Sequence, residues 1–507
     1  MTLNRYSAAL VALLAMSVTA CETDLTGINV NPNSPTTAPA ATLFTNATIT
    51  TVGRFNGAGQ LSGASLMAQH LAQVQYVDED RGHIRATTID GMYSGAYTSE
   101  LEDYHKVIEQ GQATTSPNIW APALIMQSWT YQNMTDIWGD IPYSEALQGD
   151  LPGGILKPAY DAQQDIYYGL LASLTTASTA LGTATDAGLG NGDIIYQGDG
   201  AKWARFANSL RARMAMRLLK NDNPKALTEL TAAFAAGVMT SNADNAKITY
   251  PGDGVFDNGW SANFATRDDH RVSKTLLDTM NVLLDPRVMI YAQPTRWDPA
   301  TNAPWAVPAN ARAIGLQNGL TNATVTPYFN TTSRAGTIFY PGATVYGTFG
   351  TAAGKRTPAY VMTYAEVEFL LAEAAERGIA GQTGAAAHYD AGVTASILQW
   401  GGTAGDAATY LAQPGVAYVA GATGLQQIGL QKWIALFTQG NEAWAEWRRT
   451  GNPATVAMGP GAYPDVLTVP RRWPYASNEQ TVNYDAWAAA VAVQGADNYA
   501  TRVWWDK

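Results

Sequence analysis

The residues best equipped for chemistry in this chain are carboxylates. Asp136, Asp140 and Glu145 surround a Gly-Asp-Ile-Pro-Tyr turn, and glycoside cleavage needs two carboxyls roughly 5 to 10 Å apart in a cleft. Asp beside Gly and ahead of Pro is also ordinary turn chemistry, so these acids are expected to cap helix ends and fix a turn. Asp78, Glu79 and Asp80 make an oxygen-rich run of the kind that holds a hard cation such as calcium, although a solvated acidic loop has the same composition. Arg448-Arg449 offer two guanidiniums to an acidic ligand, yet Glu442 and Glu446 stand at helical spacing from them, as in intrahelical ion pairs. The histidines, at 70, 83, 105, 270 and 388, form no ligand-spaced pair, which argues against a histidine metal site. The expectation is a protein with no catalytic residue and no required cofactor, structural calcium being the one candidate metal.

The only cysteine, Cys21, closes Ser17-Val18-Thr19-Ala20-Cys21 after an uncharged apolar run over residues 8–18, with Arg5 before it. That run is too short for a bilayer, which needs about 20 apolar residues, and reads as a cleavable export signal. A small residue ahead of the cysteine makes Cys21 a lipid attachment site. Several acyl chains give durable anchoring, since each buried CH₂ contributes roughly 0.8 kcal/mol. With one cysteine, no intramolecular disulfide or thiolate zinc site can form elsewhere in the chain. The formal net charge of −11 argues against nucleic acid or an anionic membrane face as partner.

Aromatic usage favours rings with a polar handle: 15 Trp and 25 Tyr against 11 Phe. Indole and phenol rings stack on the C–H faces of sugars while their edges hydrogen-bond hydroxyls, so the composition favours a glycan binder. On a helical scaffold such contacts come from loops. The loop at residues 75–83 supplies a stacking ring in Tyr76, an acceptor in Asp78 and a donor in Arg81. Trp260, Arg267, Trp297 and Trp305 are added from a central Gly-, Asn- and Pro-rich stretch, residues 240–358.

The elements that must position these side chains are mostly helical. Residues 22–39 carry Asn29-Val30-Asn31-Pro32-Asn33-Ser34-Pro35 and read as a tether. Helical periodicity then appears over residues 61–74, 97–109, 120–136, 160–181, 203–219 and 224–234, with Asn223-Pro224 as an N-cap and first-turn Pro. Thr363 with Glu366 reads as a capping box, Gly378 as a stop, and residues 388–399 as the next helix, with small residues Ala386, Ala387 and Gly392 at the crossing. This helix–turn–helix resembles a tetratricopeptide-type hairpin, whose repeat is about 34 residues.

Several segments in order resemble the SusD/RagB-like outer-membrane nutrient-binding lipoproteins. They are Cys21, the stretch around Asn31-Pro32-Asn33, residues 135–146, Pro158-Ala159-Tyr160-Asp161-Ala162-Gln163, residues 202–210, residues 364–378, Gln431-Lys432-Trp433 with Glu442-Ala443-Trp444 and Arg448-Arg449-Thr450-Gly451, and Arg471-Arg472 with Glu479 and Asn483. The order Pro474-Tyr475 departs from the Tyr-Pro usual in the family at that point. The resemblance implies an all-α dominated fold, a scaffold of four tetratricopeptide-like hairpins with long irregular loops and little β. It implies a signal peptide over residues 1–20, a lipidated tether over 21–39 and one domain over 40–507. It also implies a lipid-anchored, outward-facing protein of the outer membrane that caps a SusC-type TonB-dependent transporter and captures glycans, or peptides in some members, without catalysis; in the family the 75–83 region contributes to the ligand face. A helical glycoside hydrolase and a ligand-free assembly scaffold are the competing readings.

Overall fold

The structure, a computed structural model, describes residues 38–151, 153–293, 297–298, 303–304, 313–339 and 354–507. The expected leader, Cys21, nearly all of the expected tether and Trp305 lie outside the described residues.

Among the described residues, helices dominate. The first set is α1 (Ala40–Asn56), α2 (Ala86–Gly95), α3 (Glu102–Ala113), α4 (Pro117–Trp138), α5 (Gln163–Leu181), α6 (Gly200–Arg217) and α7 (Asn223–Ala236). After α8 (Lys274–Val282) come α9 (Tyr364–Glu376), α10 (Ala385–Gln399), α11 (Ala404–Leu411), α12 (Ala422–Ala435), α13 (Gly440–Thr450) and α14 (Tyr484–Gln494). The strands are short: β1 (Leu71–Gln73), β2 (Ala246–Ile248), β3 (His270–Val272), β4 (Trp297–Asp298), β5 (Ala303–Pro304) and β6 (Ala359–Met362). They pair as antiparallel ribbons, β1 with β3, β2 with β6 and β4 with β5.

Helices adjacent in sequence are adjacent in space. Each of α3 through α6 packs on its successor, α9 packs on α10 and α12, and α13 reaches back to α1 and α4. Residues Ala40–Lys507 thereby form one compact unit. The hairpin expected around Gly378 is present: Gly378 ends α9 at φ +63°, and Gly392 on α10 lies so close to α9 that a Cβ there would come within 2.9 Å of the Phe369 ring. This is how small residues let two helices cross tightly.

Several expected boundaries are corrected. Residues 61–74 are not one helix: two short turns, Ala58–Ser62 and Ala64–Met67, give way to β1. Gly63 sits between the turns where a Cβ would strike Trp473 at 2.5 Å, and Gln69 takes φ +53°, which a continuing helix does not allow. Helix α7 is capped by Asp222, whose side chain accepts from Lys225 N, one residue ahead of the expected Asn223 cap. At α9 the Thr363 hydroxyl accepts from Glu366 N as a capping box requires, but Glu366 does not reach back, because its carboxylate is bonded to Arg213 at 2.6 and 2.7 Å.

That pair belongs to a buried ionic network joining the helical sets. Arg217 on α6 pairs with Asp136 on α4 at 2.8 Å and with Glu442 on α13. Lys432 on α12 pairs with Glu446 at 3.2 Å, and Arg449 reaches both Glu446 and Glu373 on α9 at 2.5 Å. Asp136 also accepts from Tyr167 at 2.5 Å, Trp505 at 2.8 Å and Gln132 at 2.8 Å. Asp136 is therefore a core linker, not the turn residue expected. Asp140 and Glu145 do serve turns, accepting from Gln163 N and Ala159 N, both at 2.8 Å. Arg449 makes the expected pair within its own helix, whereas Arg448 does not: it donates to the carbonyls of Asp136 and Arg471, each at 2.7 Å, with its guanidinium 3.8 Å over the Trp444 ring. Burying the network charges is tolerable because carboxylates face them, whereas Arg448 is held by carbonyls and a ring face.

Candidate functional site

The short ribbon β1–β3 places the candidate loop. Its register sets Gln73 against His270, and Val74 N continues the ladder by bonding Asp269 O at 2.7 Å. The chain leaves β1 at Tyr76 directly beside the segment that enters β3. Arg267 there lies 5.3 Å over the Tyr76 ring and is itself held by Asp269 at 2.6 Å. Tyr76 is 57% exposed. Its φ of +53° is a left-handed conformation costing a non-glycine residue roughly 1–2 kcal/mol, so the ring is presented to solvent on a strained backbone.

Beyond Tyr76 the loop coils into tight turns, Arg81 N to Val77 O at 3.1 Å and His83 N to Asp78 O at 3.0 Å. These aim Asp78 and Arg81 at a late segment of the chain. Asp78 accepts from the Tyr463 hydroxyl at 2.6 Å, Arg81 lies 4.0 Å over the Tyr463 ring, and its Nε donates to Gly461 O at 2.6 Å. His83 stacks parallel to Tyr463 at 4.0 Å and pairs with Asp465 at 2.9 Å.

The opposing wall is the segment around residues 318–329. Asp80, buried beneath the loop, accepts from Asn318 Nδ2 at 2.6 Å, Gly319 N at 2.9 Å and Gln73 N at 3.3 Å, so one carboxylate ties both walls together. Burial pushes the Asp80 carboxyl up to about 7, against those three donors, which favour its ionised form. Further along, Asp268 is held by Arg271 at 2.8 Å and Arg334 at 2.7 Å, and Arg271 Nη2 donates to Phe329 O at 2.6 Å. The result is an open cleft of about 620 Å³ with Tyr76, Asp78, Asn322, Thr326 and Phe329 on its walls. It combines an exposed aromatic face, a half-exposed carboxylate, amide and hydroxyl groups and a nearby guanidinium, the mixture that polyhydroxylated rings require.

Of the nominated residues, Tyr76 and Asp78 line this cleft and Arg267 lies over the Tyr76 ring, whereas Arg81 turns to Tyr463 and Gly461. Trp260 does not. It is 2% exposed, donates from Nε1 to Gly57 O at 3.2 Å and packs among Phe264, Phe339 and Phe437. An indole with both faces covered cannot stack on a ligand, so its assignment to the ligand face is corrected to core. Trp297 falls on β4, and its side chain, like the whole of Trp305, lies outside what is described.

The carboxylates of 78–80 diverge. Asp78 meets Tyr463, Glu79 accepts from Gln73 at 3.0 Å and pairs with Arg85, and Asp80 meets Asn318. Among the described residues no group of three or more His, Cys, Asp or Glu side chains is placed to hold a metal ion. Sequence reasoning missed Tyr463, Asn322, Thr326 and Phe329. The Gly459-Pro460-Gly461 turn two residues ahead of Tyr463 is the one local signal that marks a presented aromatic.

Among known families, residues 32–476 match the SusD-like one described as starch-binding associating with outer membrane. Among solved structures, a chitin-binding protein is 28% identical with a TM-score of 0.78, over 92% of this chain and 100% of that one. A chitin-binding SusD homolog from Flavobacterium johnsoniae is 26% identical with a TM-score of 0.77, over 92% of this chain and 98% of that one. A SusD homolog from Bacteroides ovatus is 26% identical with a TM-score of 0.78, over 92% and 99% respectively. No curated protein matches. The match over residues 32–476 exceeds half of the chain, and the chain belongs to the SusD-like family, starch-binding and associating with the outer membrane.

Proposed function

We propose that the protein is a lipoprotein of the outer membrane, anchored through Cys21 and facing the cell exterior, which captures oligosaccharides and delivers them to a SusC-type TonB-dependent transporter without cleaving them. The observation that carries this reading is the cleft beside Tyr76, where a solvent-facing ring, a carboxylate and a guanidinium sit within one short loop and its neighbour. Its support for capture without cleavage is that Asp136 is spent on Arg217, Tyr167 and Trp505, and Asp140 and Glu145 on backbone amides. The anchor, not a transmembrane helix, is the proposed attachment; among the described residues no helix is long and apolar enough to cross a membrane.

Two similar structures carry chitin-binding in their names, so oligomers of N-acetylglucosamine lead the test, followed by maltooligosaccharides and by unstructured peptides. Titration calorimetry of the mature protein is expected to give saturable binding to at least one glycan. Saturable binding to peptides alone would move the cargo to the peptide class, and release of reducing ends from any glycan would overturn the non-catalytic reading. Affinity capture from envelope extracts is expected to recover a large β-barrel transporter.

A further inference from the structure

A second cavity lies away from the Tyr76 cleft. It encloses about 650 Å³, between the end of α13, the 456–471 segment and the last turn of the chain, with Trp447, Asp465, Leu467, Arg471, Tyr499 and Arg502 on its walls. We propose that this cavity is a second ligand site, selective for a carboxylate carried on a body with an apolar face.

The charge arrangement carries the proposal. Arg471 and Arg502 share one carboxylate: Asp506 takes Arg471 Nε at 2.7 Å and Arg502 Nη1 at 3.0 Å. The remaining Arg471 Nη1 and the Nε and Nη2 of Arg502 have no hydrogen-bond partner among the described residues, and the Arg502 side chain is 49% exposed. Arg448, buried behind this wall and not on it, donates to the Asp136 and Arg471 carbonyls and so supports the Arg471 main chain. The carboxylate on the wall, Asp465, is engaged by His83 at 2.9 Å. The guanidinium N–H groups of Arg471 and Arg502 that Asp506 leaves unused are thus available on the cavity wall, in a protein whose net charge is −11.

Guanidinium forks match carboxylates in geometry and charge. The rest of the wall selects what carries the carboxylate. Leu467 is 86% exposed at the edge, and Trp447 and Tyr499 contribute rings, so the ligand has an apolar face to cover them. Tyr499 also hydrogen-bonds Ile84 N through its hydroxyl at 3.1 Å and lies 5.7 Å from His83, so the cavity shares a wall with the aromatic stack beneath the Tyr76 loop. Two sources supply this chemistry, a uronic acid ring and the free carboxyl end of an apolar amino acid.

The test titrates the full mature protein, Arg502→Gln and Leu467→Asp with trigalacturonate, with maltotriose as the neutral counterpart and with N-acetyl-leucine. The wild type is expected to bind trigalacturonate about tenfold more tightly than maltotriose. Each variant is expected to weaken it about tenfold, because one loses a guanidinium and the other sets a carboxylate at the entrance. Melting temperatures should stay unchanged, since both side chains are exposed. Tighter binding of N-acetyl-leucine with the same sensitivity keeps the site and assigns it to amino-acid carboxylates. Absence of saturable binding by both acids, or binding that neither variant alters, overturns the proposal. Glycan binding lost in Tyr76→Ala but kept in Arg502→Gln would report on the Tyr76 cleft alone, so failures of the two sites are distinguishable.

Discussion

The Tyr463 hydroxyl donates a 2.6 Å hydrogen bond to the Asp78 carboxylate across 385 residues of sequence. It closes a stack in which Arg81 covers one ring and His83 lies parallel to it, and it fixes the orientation of the only loop carboxylate half open to the Tyr76 cleft. Tyr463→Phe keeps the ring and removes the bond. A hydrogen bond to a charged group contributes about 1.5–3 kcal/mol when intact. Much of that is recovered here by water, because Asp78 is half exposed. The expected outcome is a glycan affinity lowered several-fold with little change in melting temperature, read by calorimetry and thermal denaturation.

A second prediction concerns the buried network. Arg213 and Glu366 are 2% and 0% exposed and bonded at 2.6 Å. Glu366→Gln removes the opposing charge and leaves Glu442, at 3.4 Å, as the remaining carboxylate beside the buried guanidinium. Loss of one partner of such a pair costs about 3–5 kcal/mol. Urea unfolding should show that loss, and the double change Arg213→Met with Glu366→Leu should recover a large part of it. Equal instability of single and double variants would refute the account.

Asp80 gives a prediction in pH. Burial raises its carboxyl from the ordinary value to about 7. The folded protein therefore holds a proton there that the unfolded chain has released, and ionising the group is penalised as pH rises from about 4 to 7. Asp80→Asn removes that penalty. The melting temperature of the variant relative to the wild type should climb across this window and level off above it; a difference independent of pH would contradict the assignment.

The anchor is tested apart from the fold. Cys21→Ala is expected to abolish palmitate labelling and release the protein from the membrane fraction, with glycan affinity in solution unchanged.

The helical scaffold was legible because its signals are local: the Gly378 stop, the small residue Gly392 at a crossing, and a first-turn Pro after an acidic or amide cap. The loop carrying Tyr76, Asp78 and Arg81 was nominated from its residue types together with the family resemblance. Trp260 was misread because composition reports that an indole is present and not whether its faces are covered, and that depends on Phe339 and Phe437, far away in sequence. Asp136 was misread likewise. Its neighbours Gly139 and Pro142 signal a turn, while the partners that decide its role, Arg217 and Trp505, are set by tertiary packing. Tyr463 and Phe329 carry no signal linking them to residue 76 until β1 meets β3.

The most direct test of the central claim uses Tyr76→Gly. Its backbone at φ +53° suits glycine, so strain relief of roughly 1 kcal/mol offsets glycine's extra unfolded-state entropy of similar size, and the fold should melt within a degree or two of wild type. Calorimetric titration with chitohexaose is expected to show saturable binding by the wild type and at least about tenfold weaker binding by this variant, since it loses the stacking ring. Equal binding by the two proteins would contradict capture at the Tyr76 cleft.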